Sequence, residues 1–144
     1  MSRILTRGTL SASGAILTLI GGALMFAPKA FLETSHVFID RDPGLMSELT
    51  APSGVLIITG AFMILAAIKL RFANPALSIG AIVYGSYGVG RLISMVLHGL
   101  PSESLITATA VELAVAALLI VLRRTASTAS RRNTTGTYLG EVIV

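Results

Sequence analysis

Residues 49–68 read LTAPSGVLIITGAFMILAAI, an interval between Glu48 and Lys69 that holds no charged side chain. A bilayer core of about 30 Å is crossed by about 20 apolar residues in a helix, so this interval spans it once. Three more intervals have the same character. Residues 8–28 carry no charge, residues 72–102 are interrupted only by Arg91, and residues 104–122 only by Glu112. The third interval is too long for one crossing, and its ends read as connections. Asn74-Pro75 has the form of a helix start, with Asn as N-cap and Pro at the first helical position. His98-Gly99-Leu100-Pro101-Ser102 reads as a stop, a turn and a new cap. Helices are expected at 9–27, 50–69, 75–97 and 103–123. The expected class is all-α, an integral membrane four-helix bundle.

Composition leads to the same class. The chain is 53% hydrophobic and 12% charged, whereas a soluble domain carries about 25% charged residues. That little charge cannot cover a water-facing surface, and so much apolar side chain excludes disorder. Cysteine is absent, which removes disulfides and thiolate metal sites. The net charge of +4 and pI of 10.1 acquire meaning once the basic residues are sorted by side. Arg3, Arg7, Lys69, Arg71, Arg123, Arg124, Arg131 and Arg132 fall on one face of a four-pass protein, against the single acid Glu141. The other face holds Lys29 and Arg41 with Glu33, Asp40, Asp42, Glu48 and Glu103. The positive-inside rule then places both termini in the cytoplasm. No basic stripe interleaved with aromatics is present, so nucleic acid is not a partner on this reading. The first span has the basic start of a signal peptide. Its apolar stretch is longer than such a segment needs, and Pro28 would follow the cut, so it reads as a retained helix.

The long outer loop, 28–49, mixes Phe31-Leu32 and Val37-Phe38-Ile39 with acids and His36, a pattern that lies on a membrane surface. Asp42-Pro43 is positioned to cap a short helix running to Thr50, with Pro52 kinking the start of the second span. Asp40, Asp42 and Glu48 lack the alternating oxygen ligands and Gly of a calcium loop and read as a solvated face; no metal site is expected. The tail, 125–144, is basic and rich in Ser and Thr, and is expected to be flexible and cytoplasmic. Its Asn133-Thr134-Thr135 matches a glycosylation sequon on the wrong side of the membrane, and Val142-Ile143-Val144 could dock as a strand on a partner.

Arg91 and Glu112 are the charges left inside the spans. A charge in the bilayer core costs roughly 2.5–3.5 kcal/mol on insertion scales, so such groups pair and face the protein. Counted from the turn at Leu100, their depths differ by about 4.5 Å at 1.5 Å per residue, which an Arg side chain bridges between antiparallel neighbours. Tyr84, Tyr87, Gly88, Arg91, Ser94 and His98 recur at spacings of three or four and share one helix face. Glu48, at the outer mouth of the second span, is placed to join them. The cluster Arg91, Glu112, Glu48, Tyr84, Tyr87, Ser94 and His98 reads as a structural pin that sets the bundle's register, as a pocket for a lipid headgroup, a quinone-like molecule or an anion, or as a proton path. No nucleophile–base pair, phosphate loop or metal spacing is present, so no catalytic residue or cofactor is assigned. Gly14, Gly21, Gly22, Gly54, Gly60, Gly80, Gly85 and Gly88 read as points of close helix approach.

Ala27-Pro28 with Phe31-Leu32, Glu48-Leu49-Thr50-Ala51 leading to Gly54, Gly90-Arg91-Leu92-Ile93-Ser94, His98-Gly99-Leu100-Pro101-Ser102 and Glu112 together resemble the bacterial domain-of-unknown-function family numbered 4345. The resemblance spans residues 10–123. It implies a small four-helix membrane protein without an established activity, distantly similar to DoxX-type proteins, some of which are associated with redox or quinone metabolism. Where the family pattern has Arg after Glu-(Leu/Ile) and a Gly-Gly pair, this chain has Thr50 and Ser53, which weakens any site transferred there. The expectation is a multi-pass protein of the bacterial inner membrane, acting without catalysis as an accessory or interaction subunit of a larger membrane complex or homo-oligomer. The alternative is a small-molecule site around the Arg91–Glu112 pair.

Overall fold

In lipid, a charge-free run can satisfy its backbone polar groups only within a helix or a closed barrel. The computed structural model describes residues 3–39 and 42–141, with side chains described through Thr125, and no strand occurs among the described residues. The elements are α1 (Arg3–Phe26), α2 (Pro28–Glu33), α3 (Pro43–Ile68), α4 (Ala73–His98) and α5 (Glu103–Glu141), with a 3-10 turn at Leu70–Phe72 before α4. The four long helices, α5 through Thr125 and α4 with its preceding turn, are each long and apolar enough to cross a membrane. The protein is therefore a multi-pass helical bundle. Asp40, Arg41 and Val142-Ile143-Val144 lie outside the described residues.

Several boundaries differ from the sequence expectation. α1 begins six residues early, because nothing in Arg3–Gly8 interrupts a helix once its first turns leave the apolar layer. The Asp42-Pro43 cap forms, with the Asp42 carboxylate accepting from Leu45 N at 2.8 Å. The helix it starts runs without a break through Pro52 into the second span. Pro52 leaves the Glu48 carbonyl without its usual intrahelical donor, and beside it the Ser53 hydroxyl donates to the Thr50 carbonyl. Asn74 is not the N-cap of α4. The 3-10 turn starts the helix at Ala73, and Pro75 falls in the first turn, where its missing N–H goes unneeded. Phe72 in that turn packs on Phe62 at a ring separation of 6.2 Å and carries the Arg71 guanidinium 4.5 Å above its ring. The backbone of α5 continues beyond the expected end near residue 123.

The helices pair as α1 along α3 and α4 along α5, and the two hairpins meet chiefly between α3 and α4. Leu10, Leu17, Leu56, Met63, Leu77, Leu119 and Leu122 fill the core, while Ile58, Ile82 and Val96 stay exposed toward the lipid. The α1–α3 seam is a backbone-to-backbone contact. A Cβ added at Gly14 would fall 2.7 Å from the Gly60 carbonyl oxygen, and one at Gly21 2.9 Å from that of Ser53. Small residues at these crossings admit the approach that dispersion between helices in lipid requires.

A buried hydrogen bond ties the hairpins together. Tyr84, 3% exposed, donates from α4 to the Ser13 carbonyl of α1 at 2.8 Å. Tyr84→Phe is expected to lower stability by about 1 kcal/mol, read as a lower unfolding midpoint in detergent; an unchanged midpoint would show that the bond carries no net energy. A second tie lies at the end of the bundle where α4 turns into α5: the Ser102 hydroxyl donates to the Ser35 carbonyl at 2.9 Å.

The end of α2 has its own conformational cost. Val37 N–H reaches the Leu32 carbonyl at 3.1 Å and His36 N–H that of Glu33 at 3.0 Å, the paired bonds of a Schellman motif. His36 occupies the left-handed position with φ 60°, a place that glycine takes without strain. His36→Gly is expected to raise stability by about 1 kcal/mol, the left-handed penalty of a residue with a Cβ. A lower midpoint on thermal unfolding would refute that account.

Candidate functional site

The turn between α4 and α5 is made by Gly99, whose φ of 92° closes α4 while its N–H still reaches the Met95 carbonyl at 3.1 Å. α5 then returns beside α4, and the Leu113 side chain packs over Gly88. A Cβ there would fall 2.6 Å from Leu113 Cδ2, so a larger residue would require the Leu113 side chain to shift. One turn further along α4 stands Arg91, and beside Leu113 stands Glu112. The Arg91 Nε donates to both carboxylate oxygens of Glu112, at 3.1 Å and 3.3 Å. The Glu112 side chain is 16% exposed and that of Arg91 35%, so the guanidinium is the more open end of the pair.

A cleft lies on each side of this pair. The inner one, of about 100 Å³, is walled by Ile16 and Ile20 of α1, Leu56 of α3, Tyr84 and Tyr87 of α4, and Glu112 of α5. It is almost wholly apolar, with the Glu112 carboxylate and the tyrosines as its polar features. The outer one, also about 100 Å³, is walled by Arg91, Ser94, Met95, Gly99, Pro101 and Leu105. Glu112 does not line the outer cleft and Arg91 does not line the inner one, so each partner of the ion pair faces a different cleft. A wider, more open hollow of about 460 Å³ lies apart from these charges, between Phe26, Lys29, Glu33 and Met46 at the outer ends of α1 and α3. Its Lys29 and Glu33 stand 4.0 Å apart and exposed, one helical turn from each other.

Of the residues singled out in the sequence, the fold brings together Arg91, Glu112, Tyr84, Tyr87 and Ser94. Glu48 does not join them. It stands exposed on the second turn of α3, because that helix begins at Pro43 and carries Glu48 on its outside instead of at a pocket mouth. His98 is exposed at the last position of α4 and lines neither cleft. Sequence reasoning missed Ser13, Ile16 and Ile20. They form a helical-period stripe on α1, but nothing in that stripe names α4 and α5 as its neighbours. Chemically, the arrangement offers a guanidinium edge and a serine hydroxyl on one side and a carboxylate with phenols on the other. No group of three or more His, Cys, Asp or Glu is gathered among the described residues.

No curated protein and no solved structure matches the chain. A family model does: residues 5–123, the whole of the bundle and both clefts, match the model described as Domain of unknown function (DUF4345), and the chain belongs to that family.

Proposed function

We propose that the protein is a membrane-embedded binder of a small amphiphile, whose polar end meets the Arg91–Glu112 pair. The carrying observation is the position of that pair: an ion pair inside the spans, with an apolar four-helix cleft on one side and a polar-edged cleft on the other. A purely structural pin needs no clefts beside it. Pockets for small ligands are mostly apolar with a few convergent polar groups, which is the make-up found here. The test is native mass spectrometry of the protein extracted with its lipids, comparing the natural chain with Arg91→Leu/Glu112→Leu. The natural chain should carry a bound small molecule that the double variant loses while still folded. A double variant that folds and retains the same ligand would overturn the reading.

The accessory or interaction role is the second reading. It draws on Gly22 and Gly90, which face open space, where small residues admit a partner helix. Purification in mild detergent should then return a complex or homo-oligomer, and a lone monomer would count against it. In either role the protein is taken to sit in a bacterial inner membrane with both termini cytoplasmic, on the strength of the basic residues that cluster at one end of the spans. Reporter fusions at residue 144 and within 30–47 check the orientation. A cytoplasmic reporter from the loop would reverse it.

A further inference from the structure

Arg91 presents five N–H donors in a rigid fork, and the Nε edge is committed to Glu112. Its terminal Nη groups have no hydrogen-bond partner among the described residues, and they belong to the residue that walls the outer cleft. One turn further along the same face stands Ser94. Elsewhere on α4 and on α5, hydroxyls turn back on their own helix: Ser78 donates to Asn74, Ser86 to Val83, Thr107 to Glu103 and Thr109 to Leu105. Ser94 makes no such bond among the described residues. Two unspent donor groups, one of them cationic, therefore share a cleft whose other walls are Met95, Gly99, Pro101 and Leu105. Pro101 adds no N–H, and the Gly99 N–H is spent on Met95. The cleft offers donors and no carboxylate, since Glu112 lies behind the guanidinium.

Donors in a fork with a hydroxyl beside them suit an oxyanion, and a guanidinium binds phosphate bidentately. The volume of about 100 Å³ has room for a phosphate-sized group. The same stretch of α4 and the turn after it are apolar and open: Leu92, Val96, Leu97 and Leu100 are exposed, Val96 at 85%. A free anion would gain nothing from that surface, whereas acyl chains would lie along it. The cleft also sits at the Gly99 turn, within two turns of the end of α4, where headgroups meet a spanning helix.

Resting on the amphiphile-binding reading, we infer that the outer cleft is a phospholipid site. The lipid phosphate is held by the Arg91 Nη groups and Ser94 Oγ, and its chains run along the exposed α4 side chains. The Arg91–Glu112 bond then orients the fork and leaves its Nη edge to the phosphate.

The test uses the full chain in detergent, delipidated and returned to lipids with identical acyl chains, with bound lipid counted by native mass spectrometry. Phosphatidylglycerol and phosphatidylcholine, which share the phosphate, should both bind, and diacylglycerol should not. Ser94→Ala, at an exposed position that leaves the fold intact, should weaken phospholipid binding about three- to tenfold, the net value of one ordinary hydrogen bond. Arg91→Lys keeps the charge beside Glu112 but loses the fork and should weaken it about tenfold or more. Displacement of the lipid by millimolar inorganic phosphate would make the occupant a free anion and overturn the lipid assignment. Equal binding of diacylglycerol, with no effect of Ser94→Ala or Arg91→Lys, would overturn the phosphate site. If the Arg91→Leu/Glu112→Leu variant alone then lost the ligand, the wider reading would stand without it. If every variant bound alike, both would fall.

Discussion

Gly60→Leu is expected to separate α1 from α3 and to cost about 3 kcal/mol or more, the upper range for overpacking a tight interface. A Cβ at position 60 meets the Gly14 carbonyl oxygen at 2.5 Å and the Thr18 backbone nitrogen at 2.8 Å, with the Thr18 hydroxyl closer still. The two backbone atoms cannot rotate aside as a side-chain tip would. Relief requires α1 to move away as a body, which opens the contacts of Leu10 and Leu17 with the core. The loss of dispersion then spreads along the seam, because nothing apolar is gained in exchange when lipid tails replace a helix. Gly22→Ala is the control. That glycine sits on α1, the other helix of the pair, with nothing within 4 Å of an added Cβ, so no loss is expected. Unfolding of the purified protein by increasing detergent denaturant measures both. Equal midpoints for the two variants would refute the backbone-contact account.

Arg91→Leu alone is expected to be far more damaging than Arg91→Leu with Glu112→Leu. The single change leaves Glu112, 16% exposed, without its partner inside the spans. Breaking one half of a buried pair costs about 3–5 kcal/mol, and the partial exposure of Arg91 lowers the expectation to about 3. Replacing both residues removes the desolvation cost of each charge together with their attraction, so most of the loss should return and the double variant should fall within about 1 kcal/mol of the natural protein. The same unfolding assay gives the coupling directly from the double-mutant cycle. Strictly additive losses would mean that the two side chains do not stabilise each other. A stable double variant has a further use, since it is the protein on which loss of ligand can be attributed to the site and not to the fold.

The α4–α5 hairpin was legible from residue positions because a short turn forces its helices to be antiparallel neighbours. Depth along each helix then follows from counting, and Arg91 and Glu112 fall within reach. Gly99 and Pro101 mark that turn through backbone chemistry that few other residues supply. Glu48 was misplaced for the opposite reason. It follows a long connection, and counting along such a connection does not reveal that the capped helix at Asp42 and the span beyond Pro52 are one helix. Asn74 has the right chemistry for a cap. It lost that position to a 3-10 turn anchored by Phe72 on Phe62, a contact between residues whose proximity no local pattern states.

By itself, the sequence determined that the chain crosses a membrane four times, where the crossings turn, and which two charges stay inside. Those properties follow from the cost of charge in hydrocarbon, which acts position by position along the chain. Only the tertiary structure decided that α1 lies on α3, that Tyr84 reaches Ser13, that Leu113 packs over Gly88, and that Arg91 and Glu112 line different clefts. In water, a buried face is marked by being apolar. In lipid the outer face is equally apolar, so Ile58 facing the bilayer and Leu56 facing the core read alike, and helix partners are chosen by shape and a few hydrogen bonds that only the folded arrangement brings together.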